Sequence, residues 1–482
     1  MSLPAWIVRN LTYPWHEWLR GRPTLCFYHE TKRLAAVSSA ELTEVATERM
    51  RGLLAFASEH LPYYQTALPS VTKSSCAADP YATLTALPVL SKADVRAHAD
   101  ELIHRDVPGG LIPCGSGGTT GDTLRFFIDR IREAQPLGCR LFMQELFGVR
   151  PGDRRVHLWG SPIESRASRF KHGRDRLLNE MLLNAFDLSP KSLDRYLDAI
   201  RRFRPRLIYS YPTAAALLAQ HAARRSRAGD FDWLRLFVLT GEEITPDQRA
   251  QVREAFGCAV ASEYGSREVG LIAHECPHGG LHVISHHIHV EILKDGLPLP
   301  VGDLGEIACT NMTTRAQPMI RYRLGDVGRL VSTPCECGLP FPLMRIEGGR
   351  TTGFVVLSDG RLCHGAISST VLRDEPGIVQ FRTVQKTVDR FEVFLVVDER
   401  FDPRATERIR HRYRSLFGSR VQVQTRIVEQ IPPDPSGKRR HVISEVAPDY
   451  WNFRSDSCKG DDLVLVAPES LAAETTPNRC HA

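Results

Sequence analysis

The sequence predicts an α/β protein with a large N-terminal domain and a small α+β C-terminal domain. At 482 residues the chain is too long for one ordinary hydrophobic core, so two domains are expected. Between residues 111 and 330 short β-rich runs alternate with helical stretches, which is typical of an α/β sheet protein. After Gly348-Gly349-Arg350 the pattern changes, and we place a domain boundary near residue 350.

The N-terminal part, residues 1–110, is predicted to form helices joined by irregular segments. Leu53, Leu54, Ala57 and Leu61 recur at helical spacing, and Pro62 follows them as a stop signal. The N-terminus has no charged region followed by a long apolar run, and no window is apolar enough to span a bilayer. We therefore expect a cytoplasmic protein without a membrane partner.

The middle of the chain carries the strand signals of the α/β sheet. Strand-like runs at 207–209, 236–239 and 259–260 surround a helical stretch at 246–256. Residues 281–331 instead alternate with period two and are broken by Asp295-Gly296 and Gly302-Asp303, which predicts a small antiparallel β subdomain. The large domain is thus predicted to span residues 1–350.

The C-terminal part reads as a compact α+β unit over residues 351–446. A strand is predicted at 390–398 and another at 421–431, on either side of a helix at 405–417 with Ile409, Tyr413 and Phe417 on one face. Residues 447–482 are rich in Ser, Asp, Glu, Thr and Pro without a sustained period, so we expect a disordered tail.

Composition and charge narrow the class of protein. Lys and Arg exceed Asp and Glu by only 6 (62 against 56), and they are scattered, so the sequence lacks the basic stripe of a nucleic-acid-binding protein. Most of the 12 cysteines lie in apolar contexts, as small buried residues do. The exceptions are Cys276 and the close pair Cys335 and Cys337.

The sharpest local motif is a glycine-rich run, Gly115-Ser116-Gly117-Gly118-Thr119-Thr120-Gly121. Glycines let backbone N–H groups approach an anion closely, and the hydroxyl groups add further donors. No Lys-Ser/Thr follows, so the run is not a Walker A loop. Taken alone, a phosphate-binding loop and an ordinary flexible turn are equally supported.

Three further motifs carry chemistry only weakly when each is taken alone. Glu268 in Glu263-Tyr264-Gly265-Ser266-Arg267-Glu268 could bind Mg²⁺, and Asp326 in Leu324-Gly325-Asp326 could accept hydrogen bonds from ribose. Lys438, after Gly437, could deliver a positive charge to a transition state. The alternative for each is a solvated polar turn.

The order of the motifs is more specific than any one of them. Ser-Gly-Gly-Thr-Thr-Gly is followed by Thr240-Gly241-Glu242-Glu243, Tyr-Gly-x-x-Glu, Leu-Gly-Asp, Gly-Arg and a C-terminal Gly-Lys. Over residues 10–445 this order resembles the acyl-adenylate-forming superfamily. Within it the chain looks like the phenylacetate–CoA ligase family and its relatives in capsular polysaccharide biosynthesis.

The resemblance implies a role for each matching residue. Ser116 to Gly121 would close over the ATP phosphates, Glu268 would bind Mg²⁺, and Lys438 would assist adenylation from the small domain. Residues around the adenine and the acyl-adenylate would be Gly241, Glu242, Glu243, Glu263, Tyr264 and Gly265. Asp326 and Arg350 would hold the ribose and the adjoining phosphate, and Tyr211 with Pro212 would lie by the acyl pocket.

Two positions depart from the family pattern. Most members carry Lys after the last loop glycine, where this chain has Asp122, a carboxylate that would repel a triphosphate unless it points away. The acidic hinge that usually follows Gly-Arg is replaced by Thr351, Thr352 and Gly353. Glycine can serve as a hinge, but the changed position bears on the domain rotation.

The cysteines suggest a metal site, because some family members with a similar pattern carry structural Zn²⁺. Zinc takes four nitrogen or sulfur ligands in a tetrahedron, which Cys276, Cys335, Cys337 and one histidine would supply. His282 is favoured over His278 for the fourth position. The alternative is a set of free buried thiols beside solvated histidines.

The leading hypothesis is an ATP-dependent, AMP-forming ligase that joins a carboxylic acid, of an aryl or related kind, to coenzyme A. A second hypothesis keeps the adenylation and sends the acyl group to an amine or a carrier-protein thiol. A third is an inactive homologue that binds nucleotide or acyl ligand without turnover, which Asp122 and Gly353 would favour. Related enzymes often form homodimers, and no residue here argues for or against one.

Overall fold

The computed structural model describes most of the chain with gaps at specific segments. The described residues are 3–67, 79–115, 124–159, 169–185, 187–225, 229–242, 244, 246–348, 354–356, 362–364, 371–372, 375–431 and 442–446. Ser116 to Gly121, Asp122, Glu243, Arg350, Gly353, Lys438 and the predicted tail lie outside these residues.

Helices fill the N-terminal region, as predicted. They are Ala5–Ile7, the π-helical turn Val8–Thr12, Tyr13–Leu19, Thr24–Leu34, Ser39–His60, Pro62–Ala67, Pro80–Ala86 and Lys92–Ala97. Local chemistry sets their starts: Ser38 Oγ accepts from the Glu41 N–H at 3.2 Å, and Ser91 forms a reciprocal capping box with Asp94. No helix in the described ranges is long and apolar enough to cross a membrane.

One large sheet organises the N-terminal domain. In chain order its strands are β3 (Arg155–Trp159), β4 (Glu180–Asn184), β5 (Leu207–Ser210), β6 (Leu236–Thr240), β7 (Ala259–Ser266), β8 (Gly270–Glu275), β9 (Leu281–Val283), β10 (Ile288–Lys294), β11 (Leu297–Pro298), β12 (Gly305–Asn311), β13 (Tyr322–Val331) and β14 (Leu343–Gly348). Their spatial order is β11-β10-β12-β13-β14-β9-β8-β7-β6-β5-β3-β4. A separate ribbon pairs β1 (Ile112–Gly115) with β2 (Arg125–Ile128).

The sheet has a parallel half and an antiparallel half that meet at β7. Strands β4, β3, β5, β6 and β7 pair in parallel, and every later pairing is antiparallel. The helices Arg169–Leu177, Pro190–Phe203, Pro212–Arg225 and Pro246–Phe256 lie between successive strands of the parallel half, and the helix Arg130–Glu145 precedes β3. All five residues of β6 are buried, as expected for a strand covered on both faces.

The period-two segment at 281–331 forms antiparallel strands, but they are not a separate sheet. Strands β9 to β13 continue the main sheet through β14 and β8. The sequence pattern reports only which faces alternate, whereas the partner of each strand depends on contacts with distant residues. The subdomain is therefore the antiparallel half of one sheet.

The C-terminal unit is a smaller α+β structure. Strands β17 (Ile378–Thr387), β18 (Arg390–Val397), β19 (Gln422–Ile427) and β20 (Val442–Ser444) form a sheet in the order β19-β18-β17-β20, and β15 (Phe354–Val356) pairs with β16 (Leu362–His364). The helix Ala405–Phe417 buries Ile409, Tyr413 and Phe417 against this sheet, as its spacing predicts. The boundary at residue 350 stays a prediction.

Candidate active site

Three neighbouring parallel strands end at one edge of the sheet, where several predicted site residues follow. Tyr211 comes directly after β5, Gly241 and Glu242 follow β6, and Glu263 and Tyr264 lie near the end of β7. Open α/β sheets bind ligands outside the carboxyl ends of such strands. The topology therefore brings residues that are about 50 positions apart to one place, in line with that rule.

Three aromatic side chains, Trp159, Tyr209 and Tyr211, lie at the ends of β3 and β5, and we call them the aromatic wall. The Tyr211 ring stacks on Trp159 with centroids 3.8 Å apart and planes 15° apart, and Tyr209 lies 5.5 Å from Trp159. Gly241 has φ +84°, and a Cβ at this position would lie 3.1 Å from the Tyr211 ring. Glycine thus lets the loop after β6 lie against the ring. The predicted acyl-pocket residues meet here, and Trp159 adds a flat apolar surface.

Glu242 holds the loop after β6 to the following helix. Its Oε2 accepts a hydrogen bond from the Thr213 N–H at 3.1 Å and another from the Thr213 hydroxyl at 2.6 Å. Thr213 lies in the first turn of Pro212–Arg225, where a carboxylate is favoured by the helix dipole. Glu242 therefore fixes Gly241 next to Tyr211. Its predicted contact with the nucleotide stays a prediction.

Glu263 is buried in an ion pair beneath the cleft. Arg140 donates to both carboxylate oxygens, at 2.6 and 2.8 Å, and the Tyr209 hydroxyl donates to Oε1 at 2.6 Å. Burial raises the pKa of Glu263, but Arg140 and Tyr209 outweigh it and hold the pKa below its ordinary value. The carboxylate is thus ionised and bound to protein groups. It supports the end of β7 from below, and its predicted contact with adenine stays a prediction.

Tyr264 and Asp326 join two motifs that are far apart in the sequence. The Tyr264 hydroxyl donates to Asp326 Oδ2 at 2.9 Å. Their strands, β7 and β13, are separated by β8, β9 and β14, which would span on the order of 19 Å in a flat sheet. The antiparallel half must therefore curve toward the end of β7. Gly265, next to Tyr264, lies at the register shift between β7 and β8.

Glu268 lies near the base of the glycine-rich loop. The Tyr322 hydroxyl is 3.4 Å from Glu268 Oε1. Arg267 donates to the Gly115 carbonyl at 3.0 Å, and Arg132 donates to the Arg267 carbonyl at 3.1 Å. Gly115 is the last described residue before the loop, and it is in contact with Arg267, the neighbour of the predicted Mg²⁺ ligand Glu268.

Sequence reasoning missed the arginines that build this site. Arg132 and Arg140 lie on Arg130–Glu145, eight residues apart and so on about the same helix face. Two arginines two turns apart in a largely buried helix were a usable signal, because buried arginines require a partner. Their partners at residues 263 and 267 could not be inferred, since more than 120 residues separate each pair.

A second cluster brings together the predicted metal ligands. Cys276 Sγ is 3.6 Å from Cys335 Sγ, and Cys337 Sγ is 3.1 Å from His282 Nε2, with all four donor atoms within 4.8 Å of one another. The His282 Nδ1–H donates to the Phe341 carbonyl at 2.8 Å, which leaves the Nε2 lone pair facing the thiols. A Cβ at Gly280 would lie 2.7 Å from Cys335 Sγ, so only glycine leaves room for this arrangement.

The structure distinguishes between the two candidate histidines. His278 is half exposed, with its Nδ1 3.8 Å from Glu336, and it does not belong to the cluster. His282 is buried among the cysteines. Three sulfurs and one nitrogen at these separations fit the tetrahedral set of a structural zinc site.

Comparison with known proteins finds two matching families and similar relatives. Residues 181–314 match the AMP-binding enzyme family, and residues 356–445 match the CapK C-terminal domain. Protein CapK of Staphylococcus aureus is 23% identical over 439 residues, covering 89% of this chain and 94% of that protein. Phenylacetate-coenzyme A ligase of Thermus thermophilus is 24% identical over 456 residues, covering 85% and 98%.

A solved structure supports the fold. 2-Hydroxyisobutyryl-CoA ligase, in complex with 2-HIB-AMP and CoA in its thioesterification state, superposes with a TM-score of 0.56 at 19% identity. The match covers 86% of this chain and 92% of that one. The predicted α/β fold with a small C-terminal α+β unit is confirmed.

Proposed function

The chain belongs to the acyl-adenylate-forming superfamily, in the group that holds phenylacetate–CoA ligases and CapK, and we propose that it joins a carboxylic acid to coenzyme A with ATP. The observation that carries this proposal is the hydrogen bond between Tyr264 and Asp326. It holds the Tyr-Gly-x-x-Glu loop against the Leu-Gly-Asp strand, as a site for one nucleotide requires.

The reaction proceeds in two half-reactions. A carboxylate oxygen of the acid attacks the α-phosphorus of ATP, the bond to the β-phosphate bridging oxygen breaks, and pyrophosphate leaves. The thiol sulfur of CoA then attacks the acyl carbon, its proton passes to solvent, and AMP leaves. The protein's work is to align the reacting atoms and stabilise charge.

Each residue of the cleft has a proposed part in the first half-reaction. Asp326 accepts hydrogen bonds from the ribose hydroxyls, and Tyr264 orients it. Glu268 would hold Mg²⁺, which when bound neutralises charge on the phosphates. Ser116 to Gly121 and Arg350 would contact the phosphates, and Lys438 would bring a positive charge to the transferring group.

Two arginines near Gly115 would compensate for Asp122, the carboxylate that takes the place of the usual lysine. Arg267 donates to the carbonyl of Gly115, where the glycine-rich loop begins, and Arg132 donates to the Arg267 carbonyl. Burial lowers the pKa of Arg132 to about 10, so its guanidinium keeps its charge at neutral pH. Their positive charge supports triphosphate binding although the loop carries Asp122 rather than Lys.

The aromatic wall supports an aryl or related acid as the substrate. A flat ring could stack on Tyr211, whose own ring is held in place by Trp159. We propose that Tyr211, Pro212 and Gly241 line this end of the cleft. Exchange of Tyr211 for Ala should raise KM for aryl acids more than KM for short aliphatic acids.

The acceptor is the less constrained part of the proposal. The C-terminal match is to the domain of CapK, and a CapK protein is among the relatives beside the CoA ligases, so an amine or a carrier-protein thiol stays the alternative acceptor. Product analysis separates the two. ATP, Mg²⁺ and a panel of aryl, heteroaryl and aliphatic acids should give AMP, pyrophosphate and a CoA thioester, whereas AMP without a thioester would reject CoA.

We further propose that Cys276, His282, Cys335 and Cys337 bind a structural Zn²⁺. The metal would tie the segment around Cys335 and Cys337 to the turn that precedes β9. Metal analysis of purified protein should find one zinc per chain. Its absence from protein purified without chelator would reject the site.

A cytoplasmic location and a homodimer remain predictions. ATP and CoA as substrates support the first. Light scattering of the purified chain tests the second.

A further inference from the structure

The N-terminal helical segment presents an apolar face to solvent. Trp6, Trp15 and Trp18 are 61%, 57% and 74% exposed, and Leu11 and Leu19 are also more than half exposed. Trp15, Trp18 and Leu19 lie in the helix Tyr13–Leu19 at i, i+3, i+4 spacing and so share one side of it, and Leu11 lies in the π-helical turn just before that helix. Three of the six tryptophans of the sequence thus lie on one short exposed segment. We call Trp6, Leu11, Trp15, Trp18 and Leu19 the tryptophan face.

The segment is firmly held by its other side, so the exposure does not come from a loose end. Glu17 is buried and accepts hydrogen bonds from Arg22 and Thr24. The Thr12 hydroxyl donates to the Leu177 carbonyl at 2.7 Å, and Arg9 Nε donates to the Pro151 carbonyl at 2.8 Å. A set of neighbouring apolar side chains that the fold holds exposed in this way is typical of an interaction surface.

A basic helix borders the tryptophan face. The segment Arg169–Leu177 carries four Arg or Lys residues against the single acid Asp175, and Arg174 and Arg176 are exposed. An apolar recess between the two helices is lined by Trp15, Gly173, Leu177 and Leu178. Arg20, at the C-terminal end of the face, is 52% exposed and pairs with Glu133 at 3.4 Å, as Arg174 pairs with Asp175 at 2.6 Å. The arginines outnumber these two acids, so the border keeps a positive net charge. Arginine side chains therefore border the exposed tryptophans and leucines of the tryptophan face.

This combination matches an anionic bilayer surface better than the other candidate partners. Tryptophan favours the membrane–water interface, and arginines beside it attract anionic headgroups. A symmetric dimer through this face would set the arginine rims of both copies against each other. A nucleic acid would leave the leucines without a partner, since it offers stacking surfaces and phosphates.

We propose that the tryptophan face, with Arg20, Arg174 and Arg176, docks the protein reversibly on a membrane rich in anionic phospholipid. The sequence expectation of no membrane partner rested on the lack of a spanning run, which a surface-bound helix does not need. The docking is separate from the cleft, so it does not depend on the proposed ligase activity. Docking would keep the enzyme near acceptors or acids held at a membrane.

Vesicle flotation of the purified full chain tests the proposal. Vesicles of equal parts phosphatidylcholine and phosphatidylglycerol should carry wild-type protein, and added salt should weaken the binding. The variant W6S/W15S/W18S should bind about ten-fold less or worse. The variant R20Q/R174Q/R176Q should lose about five-fold per arginine on the anionic vesicles.

A matched control removes exposed apolar side chains elsewhere. Leu297 and Ile427 are 70% and 56% exposed, and L297S/I427S should bind like wild type. Circular dichroism should show that all the variants remain folded. Equal flotation of wild type and W6S/W15S/W18S would overturn the proposal, as would equal binding to pure phosphatidylcholine. A wild-type dimer that W6S/W15S/W18S converts to monomer would assign the face to self-association instead, and tryptophan-dependent DNA binding without flotation would assign it to nucleic acid.

Discussion

The cleft at the ends of β5, β6 and β7 and the cysteine cluster around Cys276 both collect residues from distant parts of the chain, but their polar groups are engaged differently. In the cleft, Glu263 and Glu242 are held by Arg140 and Thr213. In the cluster, the Cys337 Sγ and the His282 Nε2 face one another at 3.1 Å, and all four donor atoms lie within 4.8 Å of one another. A buried carboxylate that is already paired with an arginine holds neighbouring elements of the fold together. Thiol and imidazole donor atoms that face one another are instead typical of a metal site.

A third cluster shows why residue type alone does not identify a metal site. Cys139, His286 and His287 are all buried, with donor atoms within 4.8 Å of one another. Here Arg49 donates to His287 Nδ1 at 2.7 Å, and the Thr31 hydroxyl lies 3.3 Å from Cys139 Sγ. A guanidinium beside the ring repels a second cation, so we expect no metal at these residues.

The largest effect on catalysis is expected at the lysine of the small domain. Lys438→Ala should lower adenylation about a thousand-fold, because it removes charge that acts mainly in the transition state. ATP binding and the thermal midpoint should stay near those of wild type. Lys386→Ala is the matched control, because Lys386 is a partly exposed lysine on β17 that pairs with Glu445. Wild-type rates of pyrophosphate release in Lys438→Ala would contradict the assignment.

The scaffold role of the buried acid predicts a stability effect inside the cleft. Arg140→Met should lower the free energy of unfolding by about 3–5 kcal/mol, because Glu263 would be left buried without its cation. Adding Glu263→Gln should recover part of that loss. Urea denaturation of both variants measures this, and an Arg140→Met protein as stable as wild type would show that Glu263 is not a scaffold.

The same ion pair gives stability a pH dependence. The pKa of Glu263 is lower folded than unfolded, so its contribution is present above the ordinary glutamate pKa of about 4.3 and is lost as pH falls through the folded value. Arg140→Met should therefore show a weaker loss of stability below about pH 4.3 than wild type. Thermal denaturation of wild type and Arg140→Met at pH values above and below about 4.3 measures this difference.

The cysteine cluster should affect the fold and not the chemistry. Cys276→Ser should lose zinc and lower the thermal midpoint by on the order of 10 °C, while the remaining folded protein keeps its KM for ATP. Cys26→Ser, at an exposed cysteine outside the cluster, is the control and should change neither. Full zinc content in Cys276→Ser would remove this cysteine from the ligand set.

The smallest effect is expected where one hydrogen bond orients a ligand-binding acid. Tyr264→Phe leaves Asp326 in place but removes the donor at 2.9 Å. KM for ATP should rise about five-fold with kcat little changed, since one neutral-to-charged hydrogen bond is lost. A change in kcat alone would place Tyr264 nearer the reacting atoms.

Local periodicity was sufficient for elements whose signal lies within one segment. The helices at 246–256 and 405–417 were predicted with the bounds that the structure shows, because each buries one continuous face. The junction of residues 281–331 with the main sheet was not predictable, since strand pairing depends on distant partners. The Arg140–Glu263 pair was missed for the same reason.

The sequence predicted which residues could bind the metal, but not how they are arranged in space. The resemblance to family members with structural Zn²⁺ suggested three cysteines and a histidine, with His282 favoured over His278. The structure adds that His282 lies among the cysteines and that its Nδ1–H donates to the carbonyl of Phe341, 59 residues away. The glycine-rich loop, Arg350 and Lys438 lie outside the described residues, so their roles rest on the sequence alone.

Acid-dependent exchange of labelled pyrophosphate into ATP tests the central claim most directly, because it isolates the first half-reaction from the choice of acceptor. Wild-type protein with Mg²⁺ and the right acid should catalyse the exchange without CoA, and Lys438→Ala should not. A protein that binds ATP and forms a CoA thioester, but shows no exchange with the acid it uses, would contradict an acyl-adenylate intermediate.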